Sequence, residues 1–328
     1  MRAAWFEKFG AAADVLIVDE LDTPVAGPGE VLVRLHSSGV NPSDVKKRSG
    51  SFPNLLDGGL VIPNSDGAGI IAAVGKAVDT SRIGERVWVY QAQFARRLGT
   101  AAEYVALDSS RVAPLPDNAG FDVGACLGIP AMTAHRCVFA DGDVSGQSIV
   151  VTGAAGRVGY YAVQWASQAG ATVIATASNA EDAAACKAAG AAHVVNHRSD
   201  SFAGDILAAN GGARVDRAID LEFGANLATW IAVVATSGTI ATYGSVAVPE
   251  PTLPFFQLMY MDMNIRFIIV YAMPEAAKQH AIADIHTALA NDALHRRIAA
   301  TFPLQDIAAA NELIEKGTIR GAVILNIE

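Results

Sequence analysis

The sequence predicts an α/β protein of two domains, a module of short strands followed by a parallel sheet wrapped in helices. Three observations carry this. The 328-residue length is enough for two cores of ordinary size. The first 120 residues are dense in strand and turn signals, whereas strand-like and helix-like runs alternate from Gln147 to about Tyr271. Within that second stretch, "VVTGAAGRVGYYAVQWASQAGATVIATA" sets three glycines at three-residue spacing between an apolar run and a helix-like one.

Taken in order, "MRAAWFEKFGAAADVL" has no continuous apolar core of signal-peptide length and reads as the first strand of the mature fold. "EVLVRLHSSGV" alternates aliphatic and polar residues, "GLVIPNSDGAGIIAAVG" carries Gly and Pro punctuation, and "GERVWVY" precedes a polar loop and "AAEYVAL". Such short, evenly spaced strands suggest an antiparallel barrel-like module. The character changes near Asp122. "AMTAHRCVF" reads as a helix, and strand cores follow at "SIVVTG", "ATVIATA", "HVVNH", "RAIDL", "TIATYG" and "IRFIIVY". Helical stretches such as "AEDAAACKAAG" separate several of them, which predicts a parallel sheet covered on both faces. "PEAAKQHAIADIHTALANDA" is a helix, and "TFPLQDIAAANELIEKGTIRGAVILNI" a helix and a closing strand expected to return to the first domain. The resulting division is 1–122 with 272–328, and 123–271.

Composition excludes several classes. Hydrophobic residues make up 52% and charged ones 17%, so a disordered chain is excluded. The net charge of −9 offers no footprint for nucleic acid. Cys126, Cys137 and Cys186 are odd in number and unpatterned, which fits a reducing cytosol and no disulfide framework. The uncharged run from Phe223 to Pro249 is long enough for a membrane span, but "TSGT" and "TYGS" interrupt it. It reads as a helix, a glycine turn and a buried strand, so no membrane is expected.

The glycine turn points to a cofactor. A strand ends at Thr152 and a helix begins near Arg157, with Gly153, Gly156 and Gly159 between and just inside them. Lacking Cβ atoms, they allow a tight turn, close approach of a ligand and close helix packing. The first amides of that helix point outward at the positive end of its dipole, where a pyrophosphate fits. Gly153, Ala154, Ala155, Gly156, Arg157, Val158 and Gly159 are the expected cradle. The second strand ends in Ser178 rather than the acid that holds the ribose hydroxyls of NAD. Ser178 admits a 2′-phosphate, Arg198 after the third strand favours one, and Glu181 and Asp182 oppose it. NADPH is the expected cofactor, with NADH as the alternative.

With these residues in view, the sequence resembles the medium-chain dehydrogenase/reductase superfamily, and within it the zinc-free quinone oxidoreductase, zeta-crystallin-like branch. The resemblance runs end to end through "GEVLVRLHSSGVNPSDVKKRSG", "IPNSDGAGIIAAVG", "GERVWVY", "GTAAEYV", "IPAMTAH", "VTGAAGRVG" and "IRGAVIL". It implies a GroES-like β-barrel domain built from both chain ends, a Rossmann domain between them, a substrate cleft at their junction and a homodimer. It also implies that Asn41 and Asp44 line that cleft, that Asp66 takes the acidic position of a further family motif, and that Thr133 approaches the nicotinamide. Leu221, Tyr243, Gly244 and Ser245 would flank the cofactor, Ile269, Val270 and Tyr271 would hold the carboxamide, and Arg320 would lie near the pyrophosphate. Three departures stand out: Arg157 replaces a glycine, Lys46 a tyrosine, and Asp182 a lysine found in some relatives.

Zinc-dependent relatives bring Cys, His and an acid together on a catalytic metal. Here Asn41 takes the place of the first ligand and "PNSDGAG" lacks the second, while His193 and His197 straddle a strand end. No zinc is expected. Without a Lewis acid an alcohol is hard to deprotonate, so the acceptor should already be electron-poor, a quinone or an enone. The Asn41 amide or the Lys46 ammonium is the expected donor to charge growing on its oxygen. Asp44 and Asp66 also have a plain structural reading, as acids that cap loops or pair with Arg48 or Lys47. The leading expectation is an NADPH-dependent quinone oxidoreductase. An enoyl-thioester or alkenal reductase is the enzymatic rival, and a nucleotide-sensing or RNA-binding crystallin-like protein the non-catalytic one.

Overall fold

The computed structural model describes residues 1–327, and only Glu328 lies outside them. The chain divides into two compact units, Met1–Ile129 with Ile282–Glu328, and Pro130–Ala281.

In the first unit, β1 (Arg2–Trp5), α1 (Ala12–Val15) and β2 (Ile17–Glu20) precede the long β3 (Glu30–Val40). Then come α2 (Pro42–Arg48), β4 (Asp66–Val74), β5 (Arg86–Val89), β6 (Tyr104–Asp108), β7 (Val112–Pro114) and α3 (Phe121–Gly124). The second unit carries α4 (Met132–Phe139), β8 (Ser148–Val151), α5 (Arg157–Gln168), β9 (Thr172–Thr176), α6 (Ala180–Ala188) and β10 (His193–Val195). It continues through α7 (Phe202–Ala209), β11 (Val215–Asp220), α8 (Phe223–Val233), β12 (Val234–Thr242), α9 (Phe255–Tyr260) and β13 (Asn264–Phe267). The chain then runs through α10 (Glu275–Ala290), β14 (Ile298–Pro303), α11 (Ile307–Glu315) and β15 (Ala322–Asn326).

Seven strands form the main sheet of the first unit, in the order β14-β15-β3-β4-β5-β7 with β6 also paired to β3. Alternation along "EVLVRLHSSGV" turns Val31, Val33 and Leu35 into a core shared with Val87, Val105 and Leu107, and with Val323 and Leu325 of the closing strand. Arg48, though charged, lies in this interior. Its guanidinium is held by the Gly10 carbonyl, by Glu315 and by Asn311, which anchors α2 against α11.

The second unit is a six-stranded parallel sheet ordered β10-β9-β8-β11-β12-β13. The strands read as unbroken apolar runs because both faces are covered. The order reverses between β8 and β11, and in such sheets ligands bind beyond the strand ends at that reversal. Trp230 and Leu227 of α8 and Ile206 of α7 pack with Val150, Ala218 and Ile240 of the sheet. The α/β class expected from the sequence is therefore the architecture found. Two local expectations are corrected. "TSGT" is not a turn: β12 begins directly after α8 and passes through it, with Ser237 at φ 59 absorbing the irregularity. "IRFIIVY" is a strand only to Phe267, after which Val270–Ala272 forms a 3₁₀ turn. No helix among the described residues is long and apolar enough to cross a membrane.

Candidate active site

The glycine turn lies just past the end of β8. Gly153 adopts φ +54, a left-handed conformation that favours glycine, and the Leu221 side chain fills the place its Cβ would take. The Gly156 amide donates to the Gly153 carbonyl at 2.8 Å and closes the turn. Gly159 sits in the first turn of α5, where a Cβ would overlap the Gly153 carbonyl oxygen and come within 2.8 Å of the Ala154 Cα. The amides of Val158 and Gly159 have no backbone acceptor among the described residues, as the start of a helix requires. The result is a glycine-lined turn at the positive end of a twelve-residue helix, and its shape suits a diphosphate.

Asp220 fixes this turn from below, a role the sequence did not reveal. It is 0% exposed at the end of β11. Its Oδ1 accepts from Thr152 Oγ1 at 2.6 Å, Asn226 Nδ2 at 3.0 Å and the Glu222 amide at 3.2 Å, and its Oδ2 from Trp230 Nε1 at 2.7 Å. Thr152 Oγ1 in turn accepts from the Leu221 amide.

Ser178 is half-buried just past β9, and the Ala177 amide bonds the Val195 carbonyl of β10 at 3.0 Å. That places the exposed Arg198, which follows β10, on the neighbouring strand end. Asp182 is engaged locally. It is buried, its amide donates to Asn179 Oδ1, and its carboxylate accepts from Asn179 Nδ2 at 2.8 Å, both at the start of α6. Glu181 is the exposed acid. Thr176 Oγ1 is buried beside this end with no hydrogen-bond partner.

Beyond β12 and β13 lies a cavity of about 450 Å³, lined by Tyr243, Gly244, Ser245, Phe267, Ile268 and Ile269 among others. Gly244 has backbone contact with the Leu221 carbonyl, where a Cβ would reach 2.5 Å. Burial raises the Tyr243 hydroxyl well above the usual tyrosine value, with Cys137 and Asp220 nearby adding to the effect and Arg157 opposing it. The Ser245 hydroxyl is occupied locally: it accepts from the Gly224 amide at 2.9 Å and donates to the Val248 carbonyl. Val270 is buried, Tyr271 half-buried, and Thr133 buried in the first turn of α4.

The first unit contains a buried polar cluster of its own. Asp44 caps α2, its Oδ2 accepting from the Asn41 backbone N–H at 2.8 Å. Asp66 lies at the start of β4. Its Oδ2 accepts from Asn41 Nδ2 at 2.9 Å and from the Ile129 amide at 2.8 Å. The cluster's cation is Lys47, whereas Lys46 is exposed. Lys47 Nζ donates to Gln93 Oε1 at 3.2 Å, and to Ser65 Oγ and the Gln93 carbonyl at 3.4 Å. Burial pulls Lys47 below the usual lysine value, and Asp44 and Asp66 pull it back up. Helix phase explains the exchange. Lys47 and Arg48 lie three and four residues after Asp44 and share its buried face. Arg320 lies elsewhere in this unit, its guanidinium bonded to the carbonyls of Gly317 and Ile319.

Two family models match the chain: an alcohol dehydrogenase GroES-like domain over residues 27–117, and a zinc-binding dehydrogenase over residues 158–287. With the two sheets, they define an oxidoreductase of the medium-chain dehydrogenase/reductase class. The chain is 32% identical over 250 residues to a mouse quinone oxidoreductase, covering 74% of this chain and 73% of the relative. It is 28% identical to the human quinone oxidoreductase over 97% of this chain and 95% of that one. A mycobacterial protein solved in complex with NADPH superimposes with a TM-score of 0.88, at 26% identity and full coverage of both chains. The chain belongs to the quinone oxidoreductase branch of the medium-chain dehydrogenase/reductase superfamily.

Proposed function

We propose that this chain is a cytoplasmic, homodimeric, NADPH-dependent quinone oxidoreductase that works without a metal. In this reading 123–271 is the dinucleotide-binding domain, and 1–122 with 272–328 is the substrate domain. The observation that carries it is the presence, in one chain, of a diphosphate-shaped glycine cradle and a polar cluster whose donors do not suit zinc. The Asn41 amide is committed to Asp66, and the Lys47 ammonium stands 3.4 Å from Ser65 Oγ. No cysteine or histidine lies between Pro63 and Gly69, and a resident ammonium repels a second cation.

A reduced nicotinamide dinucleotide, held by its diphosphate on the α5 turn, would supply a hydride. Val158 and Gly159 would offer the diphosphate their amides, and Leu221, Tyr243 and Gly244 would shape the apolar wall beyond β12. Asn41 keeps one amide hydrogen free of Asp66, which supports a donor role toward an acceptor oxygen. With no metal to ionise an alcohol, an electron-poor quinone is the fitting acceptor. The deciding assay follows cofactor oxidation with 1,4-benzoquinone, 9,10-phenanthrenequinone, 2-alkenals and a crotonyl thioester, alongside elemental analysis. Turnover of quinones without stoichiometric zinc is expected, and turnover confined to the thioester would replace this reading with an enoyl reductase.

Asn41→Ala is expected to lower kcat on quinones by about 100- to 1,000-fold, the scale of one oxyanion donor; unchanged kinetics would remove Asn41 from the site. Ser178→Asp is expected to weaken NADPH binding about tenfold while sparing NADH, because a carboxylate repels the 2′-phosphate. Calorimetry with both nucleotides reads this directly.

The dimer reading rests on the outer edge of the parallel sheet. β13 is an edge strand, and Phe255, Phe256, Met259, Tyr260 and Phe267 are all exposed around it, an apolar patch that suits an isologous partner. Phe256→Asp with Tyr260→Asp is expected to give monomers in light scattering.

A further inference from the structure

We propose that Lys47, Asp66 and Asn41 act as one positioning unit for acceptor reduction, in which the Lys47 ammonium governs the charge on Asp66 and Asp66 orients the Asn41 amide. This rests on the quinone-reductase reading above and adds to it a control on the acceptor half of the site.

The geometry of Asp66 is unusual for an acid. The residue is 0% exposed, and its Oδ2 carries both of its hydrogen bonds, from Asn41 and Ile129. Its Oδ1 is buried without a hydrogen-bond partner and is pressed against Gly128, where a Cβ would overlap it. A bare carboxylate oxygen in such a place is costly, and a neutral carboxyl costs less because it removes the buried charge. The elements packed on Asp66 supply few charges. From α2 come Asp44, which favours the neutral form, and Lys47, which opposes it. The stretch just before Gly128 brings Cys126, whose own thiol is pushed up by burial. Ser38 of β3, together with Asn64 and Thr100, presents only hydroxyls and an amide, and Thr100 Oγ1 donates to the Asp66 carbonyl. Asp44 and Lys47 offset one another, so the state of Asp66 decides whether the cluster is neutral or anionic. Burial, the largest influence, raises Asp66 to about 8.

The functional consequence follows from sign. An acceptor carbonyl that takes a hydride gathers negative charge on its oxygen, and a neutral Asp66 behind Asn41 leaves that charge unopposed. An ionised Asp66 repels it. Asp66 keeps its proton throughout, and the proton that completes the hydroquinone comes from solvent. The unit alters the field at the site and exchanges no atoms.

The test is the pH profile of kcat with 1,4-benzoquinone at saturating NADPH, from about pH 6 to about pH 10. The native enzyme is expected to lose about tenfold in kcat through an apparent pKa near 8. Asp66→Asn should abolish that limb, and Lys47→Gln should move it to higher pH, because the lost cation no longer favours the carboxylate. A merely structural role would lower kcat by one factor at every pH, and a limb indifferent to both substitutions overturns the proposal. Infrared titration supplies a readout free of turnover. The C=O stretch of a protonated carboxyl should disappear through the same pH range in the native protein and be missing in Asp66→Asn. If that band behaves as expected and no quinone is reduced at any pH, the quinone reading fails while the coupled acid stands. If no such band titrates, the unit is wrong whatever the activity. Should Asp66→Asn not fold, Lys47→Gln and the native titration decide alone.

Discussion

Gly159→Ala is expected to destabilise the protein and to weaken NADPH binding by roughly 10- to 100-fold, about 1.4–2.7 kcal/mol. The direction is diagnostic because two effects compete. In an ordinary helix interior, alanine for glycine gains about 1 kcal/mol. Here the new methyl group would meet the carbonyl of Gly153 and the Cα of Ala154. Those are backbone atoms of the turn itself, which cannot rotate aside as a long side chain would. Overpacking of this kind costs about 1–3 kcal/mol, enough to exceed the propensity gain, and relief comes only by moving the amides that cradle the diphosphate. Calorimetry against NADPH and a thermal melt together read the outcome. A raised melting temperature with unaltered affinity would separate the glycine turn from cofactor binding.

Asp220→Ala carries the largest expected loss of stability, about 4 kcal/mol, or roughly 10 °C in Tm. Four donors converge on this one carboxyl, from Thr152, Glu222, Asn226 and Trp230. Removing it strands them in an interior where an unmet donor costs about 1–3 kcal/mol. The sum is sub-additive, because Glu222 and Asn226 lie near the surface and can recruit water. The buried indole cannot. Since Thr152 also receives the Leu221 amide, loss of Asp220 loosens β8, β11 and the cofactor wall together, and nucleotide affinity should fall with stability. A change below about 1 kcal/mol in denaturant unfolding would show that the network is dispensable.

Much of this architecture was legible from pattern. The parallel strands stand out because burial on both faces leaves uninterrupted aliphatic runs, and the cradle because three glycines fall where a strand meets a helix. Side-chain partners were not legible. Position alone made Lys46 the candidate cation, yet the capped start of α2 fixes a rotation that turns Lys46 outward and Lys47 inward. Asp44 at the third helical position held that information, since its helical neighbours at three and four residues are Lys47 and Arg48. Asp182 was equally opaque: only the fold shows that its carboxylate accepts from Asn179 at the start of α6. Asp220 gave no signal: three of its donors follow it within ten residues, at Glu222, Asn226 and Trp230, in no distinctive pattern, and the fourth, Thr152, is brought to it only by the folded sheet. "TSGT" looked like a turn because its composition suits one, and the sheet overrode that preference.

β15 lies between β14 and β3, with Val40 paired to Val323 across nearly the whole length of the chain. This has a bearing on biosynthesis. Residues 130–281 are contiguous and can collapse on their own sheet as they leave the ribosome, whereas the seven-stranded sheet must wait until Ala322–Asn326 has been translated. Throughout that interval the Ser37–Val40 end of β3 leaves a backbone edge open, the kind of template that recruits strands from other nascent chains and that chaperones shield.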